Sequence, residues 1–309
     1  MIKSPIDNIS NTELVEEFDS TKIIDLYLKD YGIDVSEYFQ KGKFQLRRCI
    51  KTKYRFFYPE TLEGKEKLYI DLHKNRSTYY RFPKWEHQTS LDIIKNLEIS
   101  ELLEIGCATG DFIYYLKNNT KIQCSGIELN KNAADFCKIR GLNVYDEIIE
   151  EHKNRGLKYN LVCSFQVLEH IYDVNSFFIN SLNLLDKNGY IIFGVPNSNP
   201  YLYYSDKFHT LNLPPHHIGL WDKKTIINVA SHFNLEVIRI QIENPTIDEI
   251  NKILTFWANE TQLKFRSKYL IYKFIIKIAD IFNIKSIKTK VIPQLIKGRN
   301  IVAVLKKRD

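Results

Sequence analysis

The 309-residue sequence lacks several features that would restrict its class. It has no charge-free run of about 18 apolar residues, which a transmembrane helix would need. Its first residues do not have the basic and then apolar order of a signal peptide. Neither an internal repeat nor a low-complexity segment occurs. With 44% apolar and 13% aromatic residues, we expect a folded protein that stays in the cytoplasm.

The cysteines do not form a structural pattern either. Cys49, Cys107, Cys124, Cys137 and Cys163 are scattered, odd in number and without a Cys-x-x-Cys pair. This excludes a disulfide framework and a zinc knuckle. We expect reduced thiols, with Cys107 and Cys124 as buried packing residues.

The net charge of +7 suggests nucleic acid as a partner until its position is considered. Between Leu263 and Arg299 there are ten Lys or Arg residues and one acid, Asp280, so the rest of the chain carries a net charge of −2. The aromatic residues of this basic segment alternate with Ile and Leu and do not predict a surface on which bases could stack. We expect no nucleic-acid partner.

The N-terminal part, residues 1–86, reads as a small module that caps the site or binds substrate. Its pattern predicts short polar helices up to about Tyr31, including the ELVEEF and IIDLYLKDYG stretches. Two strands, FQLRRCI and YRFFYP, and a further helix follow. The aromatic and basic patch STYYRFPKWEH then leads into a helix predicted from His87 to about Leu97.

From Glu101 onwards, apolar strands alternate with amphipathic helices. This pattern predicts a mostly parallel sheet with helices on both faces in a domain of residues 87–309. Residues 246–298 separate the last two strands and are predicted to be a basic helical insertion that forms a lid. The predicted strands are ELLEI, KIQCSGIE, LNVYD, YNLVCSF, GYIIFGV, NLEVIRIQI and NIVAVLKKR.

A glycine turn follows the first of these strands in the sequence ELLEIGCATGD. A dinucleotide-binding turn typically has a third glycine at the position of Asp111. An acid at this position would repel a pyrophosphate, because both are negatively charged. A sulfonium cofactor without phosphate fits better. Eighteen residues beyond Gly110, Glu128 ends the second strand, where a carboxylate can accept two ribose hydroxyls.

The order of ELLEIGCATGD, GIELN, YNLVCSFQVLEHIYDV and LDKNGYIIFGVPNSN resembles the class I S-adenosylmethionine-dependent methyltransferases. The resemblance covers about residues 87–245 and the terminal strand. It implies an α/β fold with a seven-stranded Rossmann-like sheet whose last strand is antiparallel, and S-adenosylmethionine as the cofactor. The expected cofactor residues are Glu104, Gly106, Cys107, Ala108, Gly110, Glu128, Leu129, Asp146, Phe165 and Gln166.

Histidines in two places are candidates for a catalytic base. His170 follows Glu169 after the fourth strand, and the alternative is that this pair orders a helix start. Quinone-precursor methyltransferases carry a similar Glu-x-x-Glu-His stretch with a metal, but Gln166 replaces the first Glu, so we expect no metal. His216 and His217 follow paired prolines in LPPHHIGLW. The resemblance to sugar methyltransferases places the base at His217, the alternative being a rigid loop whose histidines contact only backbone.

The N-terminal patch resembles a degenerate zinc-ribbon-like module of glycan- and natural-product-associated methyltransferases. Cys49 is kept, but Thr52 replaces the second cysteine, so the metal is expected to be lost. Tyr80 and Trp85 are expected to cover the cofactor or the acceptor, with ordinary packing as the alternative.

The predicted function is methylation of a hydroxyl, less readily of a carbon, on a sugar, glycan precursor or small metabolite. No Asn-Pro-Pro-Tyr motif for amino-group methylation follows the fourth strand. Two alternatives stay open: a catalytically silent binding module, and an enzyme with a lipid-linked or macromolecular acceptor. The helix at 268–284 is either a lid, a core helix or a peripheral contact with anionic lipid.

Overall fold

A computed structural model describes residues 2–40, 42–75, 82–199, 205–259, 267, 270–275, 277 and 297–308. These residues form a four-stranded and a seven-stranded sheet. The helices are α1 Ser20–Tyr31, α2 Glu66–Asn75, α3 Trp85–Ile94, α4 Asp111–Asn119, α5 Lys131–Ile139, α6 Ile149–His152, α7 Val174–Leu184, α8 Lys223–His232 and α9 Ile247–Asn259.

The four-stranded sheet contains the N-terminal strands and one short strand from much later in the chain. Its order is β1 (Thr12–Asp19), β2 (Lys43–Cys49), β3 (Arg55–Tyr58) and β9 (Gly219–Leu220), and all of its pairs are antiparallel. The predicted strands FQLRRCI and YRFFYP are thereby confirmed as β2 and β3.

The helix predicted at ELVEEF is wrong, because this stretch lies within β1. Phe18 stacks on Phe44 of β2 with ring centroids 5.4 Å apart, and β1 takes its backbone partners from β2. Such pairing outweighs local helix preference. The helix starts only at Ser20, where the side chain of Asp19 accepts a hydrogen bond from the Thr21 N–H at 2.9 Å.

The seven-stranded sheet confirms the predicted fold. Its order is β10-β11-β8-β7-β4-β5-β6, and β11 is antiparallel to both of its neighbours while the pairs from β8 to β6 are parallel. The strands are β4 Glu101–Ile105, β5 Gln123–Ile127, β6 Asn143–Tyr145, β7 Tyr159–Phe165, β8 Leu185–Pro196, β10 Leu235–Ile242 and β11 Asn300–Lys307.

Helices cover both faces of this sheet, because alternate strand residues point to opposite sides. Leu103 of β4 belongs to a core cluster with Phe178 of α7 and Val229 of α8. Its neighbour Leu102 belongs to another cluster with residues of α3, α4 and α5. Helix α3 lies slightly before its predicted position, since it begins at Trp85 and ends at Ile94 instead of running from His87 to about Leu97.

The N-terminal part and the large domain share a sheet and a core. Strand β9 pairs with β3, and a third core cluster joins Ile23 and Tyr27 of α1 to Leu213 and Ile218 of the loop before β9. The predicted division at residue 86 falls inside α3. The N-terminal residues therefore hold the loop that carries His216 and His217.

Helix α9 begins the predicted insertion, and residues 270–275 are also helical. Trp257 of α9 packs against Tyr272 with ring centroids 5.3 Å apart. Among the described residues, no helix has the length and apolar character to span a membrane.

Candidate active site

A cavity of about 880 Å³ opens at the carboxyl ends of β4, β5, β7 and β8. This edge of a parallel sheet is where α/β proteins place their ligands. The glycine turn after β4, the end of β5 and the segments after β7 and β8 all contribute to its lining.

The glycine turn has the backbone geometry that small residues allow. Gly106 and Gly110 have φ of 70° and 72°, and Ala108 between them has φ of 49°. A Cβ on Gly106 would lie 2.7 Å from Cγ2 of Val167, so the turn approaches the segment after β7 too closely for a side chain. The backbone N–H groups of Gly106 and Cys107 donate to the carbonyl oxygen of Ile127 at 2.8 and 3.1 Å.

Glu128 stands at the end of β5 and faces this turn. Its carboxylate accepts one hydrogen bond from the Ala108 N–H and one from the Asn130 N–H, both at 2.8 Å. Burial raises the pKa of this carboxyl, and the two N–H donors oppose that shift. A carboxylate has about four acceptor positions, so Glu128 can still accept hydrogen bonds from a ligand in the cavity.

Asp111, the first residue of α4, is held by a cation. Nη1 of Arg140 lies 2.8 Å from its carboxylate and also donates to the Thr109 carbonyl oxygen at 2.7 Å. This pair fills the position at the helix start that a pyrophosphate would need. The geometry therefore agrees with the exclusion of a dinucleotide.

Glu104, on β4 just before the turn, is buried and lines the cavity. Its Oε2 atom has no hydrogen-bond partner among the described residues. Burial raises the pKa of this carboxyl well above its usual range. A buried acid without a partner is costly, and a cationic ligand group in the cavity would offset that cost.

Three histidines meet in the same cavity. His170 comes from the segment after β7, and His216 and His217 come from the loop before β9. Their ring centroids are 4.5 to 5.1 Å apart, and ligating nitrogens of all three lie within 4.8 Å of one another. The two groups of histidines that the sequence separates thus form one cluster, which we call the three-histidine cluster.

Two imidazoles of this cluster, those of His170 and His217, are held in the neutral form. Burial lowers the pKa of His170 to about 4. Burial, followed by the proximity of His216 and His170, lowers the pKa of His217 well below its usual range. At neutral pH, each of these two rings therefore keeps one nitrogen lone pair.

Comparison with known proteins identifies the family. Residues 54–240 match a family model described as a methyltransferase domain. The chain belongs to this methyltransferase family. A comparison with curated proteins gives no match.

A solved structure shares the fold, and a second is reported for comparison. A SAM-dependent methyltransferase from Archaeoglobus fulgidus is 18% identical with a TM-score of 0.50, and the alignment covers 79% of this methyltransferase and 100% of that chain. An S-adenosylmethionine-dependent methyltransferase from Clostridium acetobutylicum is 13% identical with a TM-score of 0.47 and coverages of 79% and 98%.

Both of those proteins depend on S-adenosylmethionine. The residues of the cavity fit the same group: the buried Glu104 carboxyl, whose Oε2 atom has no partner among the described residues, suits its ammonium, and Glu128 suits its ribose hydroxyls. Other predicted cofactor residues that line the cavity are Gly106, Cys107, Ala108, Leu129, Phe165 and Gln166.

Some predicted site residues are not brought to the cavity. Asp146 is exposed, and neither it nor Gly110 contributes to the lining. Trp85 is half-buried and packs against the core cluster of Leu102, while its neighbours Lys84 and His87 line the cavity. Tyr80 lies outside the described residues.

Tyr27 and Tyr69, two tyrosines from the N-terminal part, are functional candidates that the sequence alone did not reveal. Tyr69 of α2 lines the cavity, and its ring centroid lies 5.4 Å from that of His170 and 6.0 Å from that of His216. The hydroxyl of Tyr27 donates to the Leu213 carbonyl oxygen at 3.0 Å and accepts from the His216 N–H at 3.3 Å. The helical period of LEGKEKLYIDLHKN predicts the helix that carries Tyr69, but nothing in that period indicates contact with a histidine.

Proposed function

We propose that this methyltransferase transfers the methyl group of S-adenosylmethionine to a hydroxyl, less readily to a carbon, of a sugar, glycan precursor or other small metabolite. The main observation in support of this proposal is that the three-histidine cluster lines the same cavity as the glycine turn and Glu128. Cofactor binding and proton transfer can therefore take place in one cavity.

The chemistry of the cavity fits a hydroxyl acceptor. The bound cofactor supplies an electrophilic methyl group on its sulfonium. The cavity has to hold the acceptor oxygen within about 3 to 3.5 Å of that methyl group, in line with the bond that breaks. A hydroxyl also has to lose its proton, and the lone pairs of His170, His216 and His217 are the groups that we assign to that step.

The charge of the cavity supports a neutral acceptor. Among the described lining residues, two carry a positive charge, Lys84 and Arg299. The acidic lining residues are Glu63, Glu66, Glu104, Asp111, Glu128, Glu147, Glu150, Glu169, Asp173 and Asp206. Burial raises the pKa of Glu63, Glu104 and Glu169, but the remaining acids still outnumber the two cations. Such a lining favours a cationic cofactor and repels polyphosphates and nucleic acids. A sugar or another uncharged polyhydroxyl compound fits it better.

Labelled S-adenosylmethionine tests the proposal directly. The full chain is incubated with the labelled cofactor and fractionated cell extract, and the product is identified by mass spectrometry. We expect label on the oxygen of a small metabolite or glycan precursor. Label on a protein or a polynucleotide would overturn the proposal.

A silent binding module is the alternative from another class. It predicts cofactor binding in calorimetry and no transfer to any fraction. The buried three-histidine cluster argues against it, because a module that only binds the cofactor has no use for buried imidazoles next to the cofactor site.

Contact with anionic lipid through the helix predicted at 268–284 stays a prediction, since most of that helix lies outside the described residues. Leu270, Ile271 and Phe274 are exposed, as an interfacial helix or an open lid requires. Sedimentation with anionic liposomes at low and high salt tests this contact. We also propose that the protein acts in the cytoplasm.

A further inference from the structure

The three-histidine cluster has the composition of a metal site. One segment contributes His170, and a loop about 46 residues later contributes His216 and His217. Ligating nitrogens of all three lie within 4.8 Å of one another, and all three residues line the cavity. Histidine is the commonest metal ligand, and it binds as the neutral imidazole.

Backbone carbonyl groups fix the rings in the orientation that metal ligands need. Nδ1 of His170 lies 2.5 Å from the carbonyl oxygen of His216, and Nδ1 of His216 lies 2.8 Å from the carbonyl oxygen of Leu211. Since a carbonyl only accepts, both Nδ1 atoms carry the proton, and the lone pair of each ring is on Nε2. Metal-binding histidines typically donate their second ring nitrogen to a carbonyl or a carboxylate in this way.

A buried carboxyl group, that of Glu169, lies beside the cluster. Glu169 is 1% exposed, and neither of its carboxylate oxygens has a hydrogen-bond partner among the described residues. Its Oε1 atom lies 3.9 Å from Nε2 of His170. A buried acid of this kind, next to three imidazoles, favours a cation at the cluster, since a cation would offset the cost of burial.

The loop that carries two of the histidines is held in place by the rest of the fold. The Glu169 carbonyl oxygen accepts hydrogen bonds from the backbone N–H groups of Ile218 and Gly219 at 2.7 and 2.9 Å. The Tyr27 hydroxyl bonds to the Leu213 carbonyl and the His216 N–H. The two segments of the cluster are therefore joined by main-chain contacts before any ligand enters.

We propose that His170, His216 and His217 bind a divalent transition metal ion such as zinc, iron or cobalt, with the Glu169 carboxylate beside it. Imidazole nitrogens suit these ions, whereas calcium and magnesium prefer oxygen ligands. Metal–nitrogen bonds of about 2.0–2.1 Å place tetrahedral ligands about 3.3 Å apart, so nitrogens that now lie within 4.8 Å of one another would have to move closer by up to about 1.5 Å to bind one ion. The sequence expectation of no metal rested on Gln166, and the proposed site does not need a carboxylate at that position.

Three histidine ligands would leave one position of a four-coordinate ion for a further ligand from the cavity, which all three residues line. Three protein ligands and one open position are typical of catalytic rather than structural sites. If the acceptor is a hydroxyl, which rests on the proposed function, it would bind the ion there, and the ion would lower the pKa of that hydroxyl. Imidazoles that bind the ion no longer accept a proton, so the released proton would pass to the Glu169 carboxylate, which a neighbouring cation would keep ionised.

Cobalt binding tests the site without any acceptor or turnover. The full chain, purified without a histidine tag, is stripped with chelator and titrated with Co²⁺ while its visible absorption is recorded. We expect d–d bands that saturate at one Co²⁺ per chain and that disappear when Zn²⁺ is added. Absence of saturable bands in the unmodified chain would overturn the proposal, whatever the methylation assays show.

Variants locate the ion. His170→Gln and His216→Ala should each weaken Co²⁺ binding by at least the roughly 10- to 100-fold that loss of an outer-shell partner costs. His232→Ala is the matched control, because His232 lies on α8 and does not line the cavity. Calorimetry with S-adenosylmethionine shows whether each variant is folded. Equal Co²⁺ affinity in folded His170→Gln, His216→Ala and the control would reject the assignment.

Discussion

The carboxylate of Glu128 accepts a hydrogen bond from the backbone N–H of Ala108 at 2.8 Å. This contact joins the end of β5 to the glycine turn after β4, so two consecutive strands build one side of the cavity. The same carboxylate lines the cavity, so it shapes the turn and can also accept hydrogen bonds from a ligand there.

Glu128→Ala should weaken S-adenosylmethionine binding by about 10- to 100-fold in calorimetry. The variant loses hydrogen bonds to a charged acceptor, each worth about 1.5–3 kcal/mol. Asp146→Ala is the matched control, because it removes an exposed acid that does not line the cavity. An equal loss of affinity in Asp146→Ala would show that Asp146 also contacts the cofactor, as the sequence predicted.

Gly106→Ala should lower both stability and cofactor affinity. The new Cβ would lie 2.7 Å from Val167 at a backbone φ of 70°. Gly156→Ala separates the two effects, since Gly156 has φ of 71° and an added Cβ there would meet nothing within 4 Å. We expect about 1–2 kcal/mol of destabilisation in Gly156→Ala from the backbone alone. Urea unfolding should show a larger loss in Gly106→Ala, and equal losses would mean that the contact with Val167 relaxes freely.

The sequence allowed the fold and one half of the site to be predicted, because both depend on local patterns. The turn from Gly106 to Gly110 and the acid Glu128 directly follow two strands, and the apolar pattern of the sequence predicts both strands. ELVEEF was misread, because its strand pairing is with residues about 30 positions later.

The other half of the site depends on distant contacts. His170 and His216 lie 46 residues apart, and they meet only because β9 joins the N-terminal sheet. Tyr69 and Tyr27 reach the cluster from the N-terminal part, 101 and 189 positions before His170 and His216 respectively. Neither periodicity nor motif spacing carries such information, so a single sequence could not assign these residues.

Stability should fall in acid through His87. Burial lowers the pKa of this histidine from 6.5 to about 4, and its Nδ1 accepts a hydrogen bond from the Lys84 N–H at 3.1 Å. Between about pH 6.5 and pH 4, His87 is protonated in the unfolded chain but neutral in the folded chain. The stabilisation from neutral His87 is therefore complete above pH 6.5 and is lost as the pH falls toward 4.

The measurement compares the unmodified chain with His87→Gln by urea unfolding at several pH values. The difference in unfolding free energy between the two should shrink steadily from pH 7 to pH 4, while contributions from other acids cancel. A difference that does not change with pH would mean that the pKa of His87 is the same in the folded and the unfolded chain.

Tyr27→Phe should impair catalysis without impairing cofactor binding. The variant keeps the ring in its core cluster but removes the hydroxyl that bonds to the Leu213 carbonyl and the His216 N–H. Loss of these buried hydrogen bonds should cost about 1–3 kcal/mol of stability and loosen the loop that carries His216 and His217.

Tyr190→Phe is the control, because Tyr190 does not line the cavity. We expect a lower kcat with an unchanged Kd for S-adenosylmethionine in Tyr27→Phe alone. An unchanged kcat would show that the histidines keep their positions without this anchor.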